Sequence, residues 1–501
     1  MANKIKPRER DAILQSLRAG VTPRTGLQHI QVGRVGEVDA LLGDLETISD
    51  GGATFRLVIG DFGSGKSFFL QLIRQIALEK GLVTVHADLS PDRRLQASGG
   101  QAKSLYNELM RNMSTRTKPD GAALQSVVEK FVINARKTAD ADGAAVEGVI
   151  HAKLSQLEEL VGGYDFARVI SLYYQAGEAD DQELQGHAVR WLRGEYSTKT
   201  DARNALGVRT IVDDANVYDY LKLWSLFVQA AGYSGLLVGI DELVNLYKLN
   251  SKQARVSNYE QILRILNDSL QGSASSIGFL MGGTPEFLLD PRKGLYSYEA
   301  LRSRLAENSF ARQAGVVDYS SPTLYLQNLN PEELYILLKN IREVFAAGQA
   351  KKRDTPKNEA GAATVDKPDQ AADAAETVTD GQAAAASGPL LPDEALEAFL
   401  VHCQQKIGES YFRTPRNTIK AFVDLMSVLE QNPQLDWKEL LDTVEITAEV
   451  NTDMPEVETE QTTQADPGST GSAVSADEAT RPEAVAEELA PSEDALATFK
   501  L

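Results

Sequence analysis

Cysteine is nearly missing from this chain: Cys403 is the single one among 501 residues. One thiol excludes a disulfide framework or a multi-cysteine zinc site within the chain, and it fits a reducing, cytoplasmic setting. Long apolar runs are missing too. The longest, Leu236–Ile240 and Ile277–Met281, fall far short of the ~20 residues that span a bilayer. The opening MANKIKPRERDAILQ has charges but no apolar core of the kind a secretory signal needs. The five histidines (29, 86, 151, 187 and 402) are scattered, with no HExxH pair. No metalloenzyme, protease or nuclease constellation stands out, and His86, inside an apolar run, reads as a packed strand residue rather than a ligand. No internal repeat occurs. With 43% hydrophobic and 24% charged residues the composition is that of a globular protein, and the length suggests about three domains.

The net charge of −20 is unevenly spread. The segment from Glu449 to Leu501 carries −11, leaving −9 for the 448 residues before it, whereas the first 34 residues carry +5. Overall acidity argues against indiscriminate nucleic-acid binding, although the basic arm (Lys4, Lys6, Arg8, Arg10, Arg18) keeps a local contact open; a solvated amphipathic helix start is the plainer reading. Two stretches, Ala346–Gly388 and Glu449 to about Pro491, contain no aromatic residue. Neither can bury enough apolar surface to offset ordering entropy, so both read as unfolded: an insertion and an acidic tail. The tail's Ala-Thr-Phe-Lys-Leu end (497–501) reads as a frayed terminus or a docking peptide.

The remainder alternates strands and helices. Thr54–Gly60, Leu82–Asp88, Gly235–Asp241, Ser276–Gly282 and Thr323–Gln327 are short apolar runs ended by Gly, Asp or Pro, and they read as buried parallel strands. Helices are predicted at Ser67–Lys80, Tyr259–Ser269 and Pro331–Phe345, the last with Asn330, Pro331 and Glu333 in capping positions. A helical insertion is expected at about 105–231. The resulting division is a helical arm and linker at 1–50, an α/β core at 51–330, a small all-α lid at 331–445 interrupted at 346–388, and the tail at 446–501.

Gly60-Asp61-Phe62-Gly63-Ser64-Gly65-Lys66-Ser67 matches the phosphate-loop pattern GxxxxGK[ST], with an apolar strand before it and an amphipathic helix after it. Glycines let successive N–H groups point at anionic oxygens, and the helix start adds a partial positive charge. Lys66 is expected on the β- and γ-phosphates of ATP, and Ser67 on Mg²⁺. The apolar run 236–240 ends in Asp241-Glu242. Asp241 suits the Mg²⁺ shell, and Glu242 is placed to polarise an attacking water. Weaker candidates surround this pair. Thr284 follows the fourth strand, as a γ-phosphate sensor or a turn residue. Arg302 and Arg304 lie on a short helix, as a finger offered to a neighbouring subunit or as a solvated face. Arg413 and Arg416 open the helix at Asn417–Leu429, within reach of a nucleotide. Gly33 and Arg34 precede the helix at Val38–Leu45, where they could fold over the adenine.

The order of these elements resembles that of AAA+ and STAND ATPases of the initiator-like group. The stretches RLVIGDFGSGKSFFL, AVRWLRGEY, GYSGLLVGIDELVNLYKL, GFLMGGTPEFLLD, YEALRSRL and FRTPRNTIKAFVDLM resemble more narrowly the BrxD family of ATP-binding proteins of BREX phage-defence systems, over about residues 20–345 and 390–445. The resemblance implies a cytoplasmic ATPase that self-associates and acts with other defence proteins, on DNA directly or through them. No winged-helix domain follows the lid, so recognition of duplex DNA by the chain itself is not implied. The alternative is a nucleotide-gated scaffold with little turnover.

Overall fold

A computed structural model describes residues 5–353 and 391–446, apart from 433, 442, 444 and 445. The acidic tail from Glu449, its terminal Phe-Lys-Leu and most of the 346–388 stretch lie outside the described residues.

The chain opens with α1 (Pro7–Arg18) and α2 (Val35–Ser49), then β1 (Ala53–Gly60), α3 (Lys66–Glu79) and β2 (Val83–Asp88). Seven helices follow: α4 (Gln101–Arg111), α5 (Leu124–Asp142), α6 (Val146–Glu158), α7 (Gly163–Glu178), α8 (Gln182–Leu192), α9 (Lys199–Leu206) and α10 (Val217–Ala230). They are the expected insertion. The core resumes with β3 (Leu236–Asp241), α11 (Val244–Tyr247), α12 (Lys252–Gln271), β4 (Ile277–Gly283), α13 (Pro285–Leu289), α14 (Glu299–Leu305), α15 (Ser309–Ala314) and β5 (Thr323–Leu326). The last described helices are α16 (Pro331–Arg353), α17 (Asp393–Ile407), α18 (Ser410–Arg413), α19 (Arg416–Gln431) and α20 (Trp437–Leu441).

All five strands are parallel, in the order β2-β3-β4-β1-β5. This is the expected α/β arrangement, a P-loop NTPase-like fold. Both faces of the sheet are covered, which is why its strands read as continuous apolar runs rather than alternating ones. One face (Leu57 and Ile59 of β1, Val83 and Val85 of β2, Val238 of β3, Phe279 of β4) packs in one cluster with the insertion's aromatics, among them Phe166, Trp191, Trp224 and Phe227. The other face (Val58, Leu237, Leu280, Leu324) packs on α2 and α3 through Leu41, Leu45, Phe69 and Ile73.

A separate apolar cluster joins α16, α17 and α19 to the N-terminal helix α1: Ile13 and Leu14 are buried beside Leu338, Phe399, Phe422 and Met426. Arg10 of α1 donates to Glu430 at 2.7 Å and lies over the Phe345 ring, and Arg18 donates to Ser427 and pairs with Asp424. Two of the five bases considered for nucleic acid are therefore engaged with the lid; Lys4 lies outside the described residues. The capping box at the start of α16 is formed in both directions, Asn330 N–H to Glu333 at 3.0 Å and Glu333 N–H to Asn330 at 2.8 Å. One expectation is corrected: α16 runs on to Arg353, so the first eight residues of the 346–388 stretch are helical. The reason is propensity: Ala, Gln, Lys and Arg dominate those residues, and such residues extend an existing helix at little cost even without apolar content.

Candidate functional site

The phosphate loop links β1 to α3. Gly63 and Gly65 adopt φ of +81° and +85°, values that side-chain-bearing residues avoid and that turn the loop's amides inward. Lys66 Nζ donates to the carbonyls of Gly60 and Asp61, both at 2.8 Å. Burial pulls its pKa down, opposed by Asp241, Glu242, Asp61 and Glu286. Asp61 accepts a hydrogen bond from Asn328 Nδ2 at 3.1 Å, and the Ser64 carbonyl accepts one from Arg34 at 2.7 Å. Arg34 donates also to the Gln327 carbonyl at 2.8 Å, bridging the loop to the end of β5.

β3 does not adjoin β1; β4 stands between them. Asp241 still reaches the start of α3, where Ser67 Oγ donates to its Oδ2 at 2.8 Å. Gly282 of β4 makes this possible: a Cβ there would collide with the Asp241 carboxylate and lie 2.9 Å from Leu70. Asp241 Oδ1 accepts the Glu242 N–H at 2.8 Å. Glu242 itself has φ +61°, a conformation costly for a non-glycine residue and found where function holds it. Burial raises its pKa, reinforced by Asp241 and Asp88 and opposed by Lys66 and Lys248.

A cleft of about 530 Å³ runs from this loop to the lid. Gly63 to Ser67, Phe62 and Glu242 line one end; Ile30, Val32, Leu329, Leu337 and Ile419 line the other. Its volume and its division into a polar and an apolar half suit a small ligand with a charged tail and a flat apolar head. Arg416 lines it too, its guanidinium 5.6 Å from the centre of the Phe62 ring. Gly60, Asp61, Phe62, Gly63, Ser64, Gly65, Lys66, Ser67, Asp241 and Glu242 thus converge with Arg34 and Arg416. Gly33 lies against Glu333 and does not line the cleft.

Other candidates stand apart. The Thr284 hydroxyl caps α13, accepting the Phe287 N–H at 3.4 Å. Arg302 and Arg304 are exposed on α14; Arg304 donates to its own helix at the Ala300 carbonyl, 2.9 Å away, and Arg302 lies 3.9 Å from Glu299. The side chain of Arg413 lies outside the described residues. His86 is a half-buried residue of β2, and among the described residues no group of three His, Cys, Asp or Glu is placed to hold a metal. No described helix is long and apolar enough to cross a membrane.

Sequence reasoning missed Asn328 and the apolar walls. Asn328 left a faint signal, a polar residue just past a strand that adjoins β1. Ile30, Leu329, Leu337 and Ile419 left none, since aliphatic residues lining a cleft look like core.

The family model for the BREX system ATP-binding protein BrxC/D matches residues 5–383 and 372–445. The chain belongs to that family and is an ATP-binding protein of this phage-defence system. The two matched segments overlap within the low-complexity insertion. No curated protein matches the chain.

Proposed function

From that membership, we propose that the chain is a Mg²⁺-dependent ATPase that assembles with copies of itself and remodels or loads partner proteins on DNA. The observation that carries this is the 2.8 Å hydrogen bond from Ser67 to Asp241, with Glu242 following. A hydroxyl and a carboxylate brought together at the foot of a phosphate loop are the hard oxygen donors that Mg²⁺ takes, so the residues present fit the ion. Bound there, Mg²⁺ would neutralise phosphate charge. Loop amides and Lys66 hold the phosphates, and the aliphatic wall from Ile30 to Ile419 receives the base. Arg34 braces the loop, and Arg416 reaches the nucleotide from the lid. Glu242 accepts a proton from the attacking water; its raised pKa makes it a better base than an ordinary glutamate. Arg302 and Arg304, exposed on α14, act on the nucleotide of a neighbouring copy, and Thr284 senses the γ-phosphate.

The test is phosphate release and light scattering on the full chain. Glu242→Gln is expected to keep ATP binding and ATP-dependent assembly while turnover falls at least ~100-fold. Lys66→Ala is expected to lose binding. Wild-type turnover in Glu242→Gln would remove the catalytic assignment, and ATP affinity unchanged in Lys66→Ala would remove the site.

A second reading, a nucleotide-gated scaffold with little turnover, draws on one observation: the lid touches the phosphate loop through Arg416 on Phe62 and Thr414 beside Gly63. Nucleotide there would change how the lid seats. Multiple turnover by the isolated protein rejects this reading.

A further inference from the structure

A second cavity, of about 210 Å³, lies behind the nucleotide cleft, between α3 and the β2–β3 edge of the sheet. Ser67 and Thr22 line both spaces. Arg24, Arg74 and His86 contribute to its walls, and so do the carboxylates Asp88 and Asp241.

Arg74 is the unusual member. It is 8% exposed, and all four of its acceptors are neutral: Thr84 Oγ1 at 3.4 Å, Gln71 Oε1 at 3.0 Å, Ser114 Oγ at 2.8 Å and the Pro119 carbonyl at 2.7 Å. One Nη1–H remains after these bonds. Burial, with Arg24 close by, pulls its pKa down to about 10, so it stays charged at neutral pH. A buried cation whose hydrogen bonds all go to neutral groups, with the solvent-exposed Asp120 as its opposing charge, is incompletely compensated. Arg24 adds a second cation on the same cavity instead of relieving the first. Its segment is anchored there by Gln71 Nε2 donating to the Arg24 carbonyl at 3.3 Å. His86 brings no charge, because burial and the two arginines push its pKa down to about 3.

The space is kept open from the strand side by Gly239. A Cβ there would meet only the His86 Cβ, at 3.6 Å, and the Val85 carbonyl, at 3.8 Å. The two arginines balance the two carboxylates in number.

We propose that this cavity is an anion site that takes inorganic phosphate at its arginine wall, next to the nucleotide cleft. That the phosphate is the one freed by ATP hydrolysis, leaving the cleft past Ser67, rests on the ATPase reading above. The anion site itself does not.

The experiment is equilibrium dialysis of radiolabelled phosphate with the full chain, its nucleotide cleft filled by Mg²⁺ and a non-hydrolysable ATP analogue. Wild type is expected to take up one phosphate per chain. Arg24→Ala, which changes an exposed side chain, and Gly239→Val, which fills the cavity, are each expected to weaken uptake about tenfold, the value of one charge-assisted hydrogen bond. The His86 ring resonance, one of only five from histidine, is expected to shift with phosphate in wild type and not in Gly239→Val. Absence of uptake by wild type at millimolar phosphate overturns the proposal. So does uptake equal to wild type in both variants, or uptake abolished by the analogue, which would put the anion in the nucleotide cleft. Lys66 does not line this cavity, so Lys66→Ala is expected to lose the analogue and keep phosphate; failure of the analogue to bind wild type would strike the nucleotide reading alone.

Discussion

Gly282 decides whether Ser67 and Asp241, the pair proposed to hold magnesium, meet. Asp241 leans across β4 to Ser67 only because that position carries no side chain. Gly282→Ala is expected to leave the fold in place, at a cost of about 1–3 kcal/mol from crowding, while displacing the Asp241 carboxylate. Magnesium titrations of ATP binding are expected to show weakened metal dependence; a titration identical to wild type would separate Asp241 from the metal. His86 makes a second prediction at this scale. Its folded pKa of about 3 lies below the ordinary 6.5, so the unfolded chain binds a proton there that the folded chain does not. The stability gained from keeping it neutral is present above pH 6.5 and is lost as pH falls from 6.5 toward 3. The urea midpoint of wild type is therefore expected to drop more steeply between pH 7 and pH 4.5 than that of His86→Leu. Equal slopes would show that the imidazole titrates freely in the folded protein.

Elements were legible to the degree that their chemistry is local. All five strands were readable because burial on both faces favours continuous apolar runs. The capping box of α16 was readable because Asn330 and Glu333 satisfy each other three residues apart. That Ser67 and Asp241 come together was readable because a GxxxxGK[ST] loop and a strand-ending carboxylate mark them. The far end of the cleft was not: its walls come from α1, the segment before α2, the start of α16 and α19, and no one of these segments shows a pattern by itself. The length of α16 was not legible, because low complexity hides the helix propensity of its last Ala, Gln, Lys and Arg residues. Thr284 offers a test at this scale. As the cap of α13, Thr284→Ala is expected to cost about 1 kcal/mol in denaturant melts, and Thr284→Ser to restore it. A large loss of turnover in the alanine variant, with stability recovered by a remote stabilising change, would instead mark the hydroxyl as a sensor.

For the molecule as a whole, the proposed composite site makes a prediction that no single chain can satisfy. Arg304→Ala is expected to bind ATP normally and turn over slowly. An equimolar mixture with Glu242→Gln is expected to recover part of the wild-type rate, because some neighbouring pairs then combine an intact glutamate with an intact arginine. Phosphate release by the mixture checks this; wild-type turnover by Arg304→Ala alone would confine the chemistry to one chain. The sheet and the insertion share one apolar core, while α1, α16, α17 and α19 share another, and the cleft draws its walls from both. Two independently packed bodies can part along such a seam without either being unpacked. The cleft therefore lies along a mechanical joint between the two bodies.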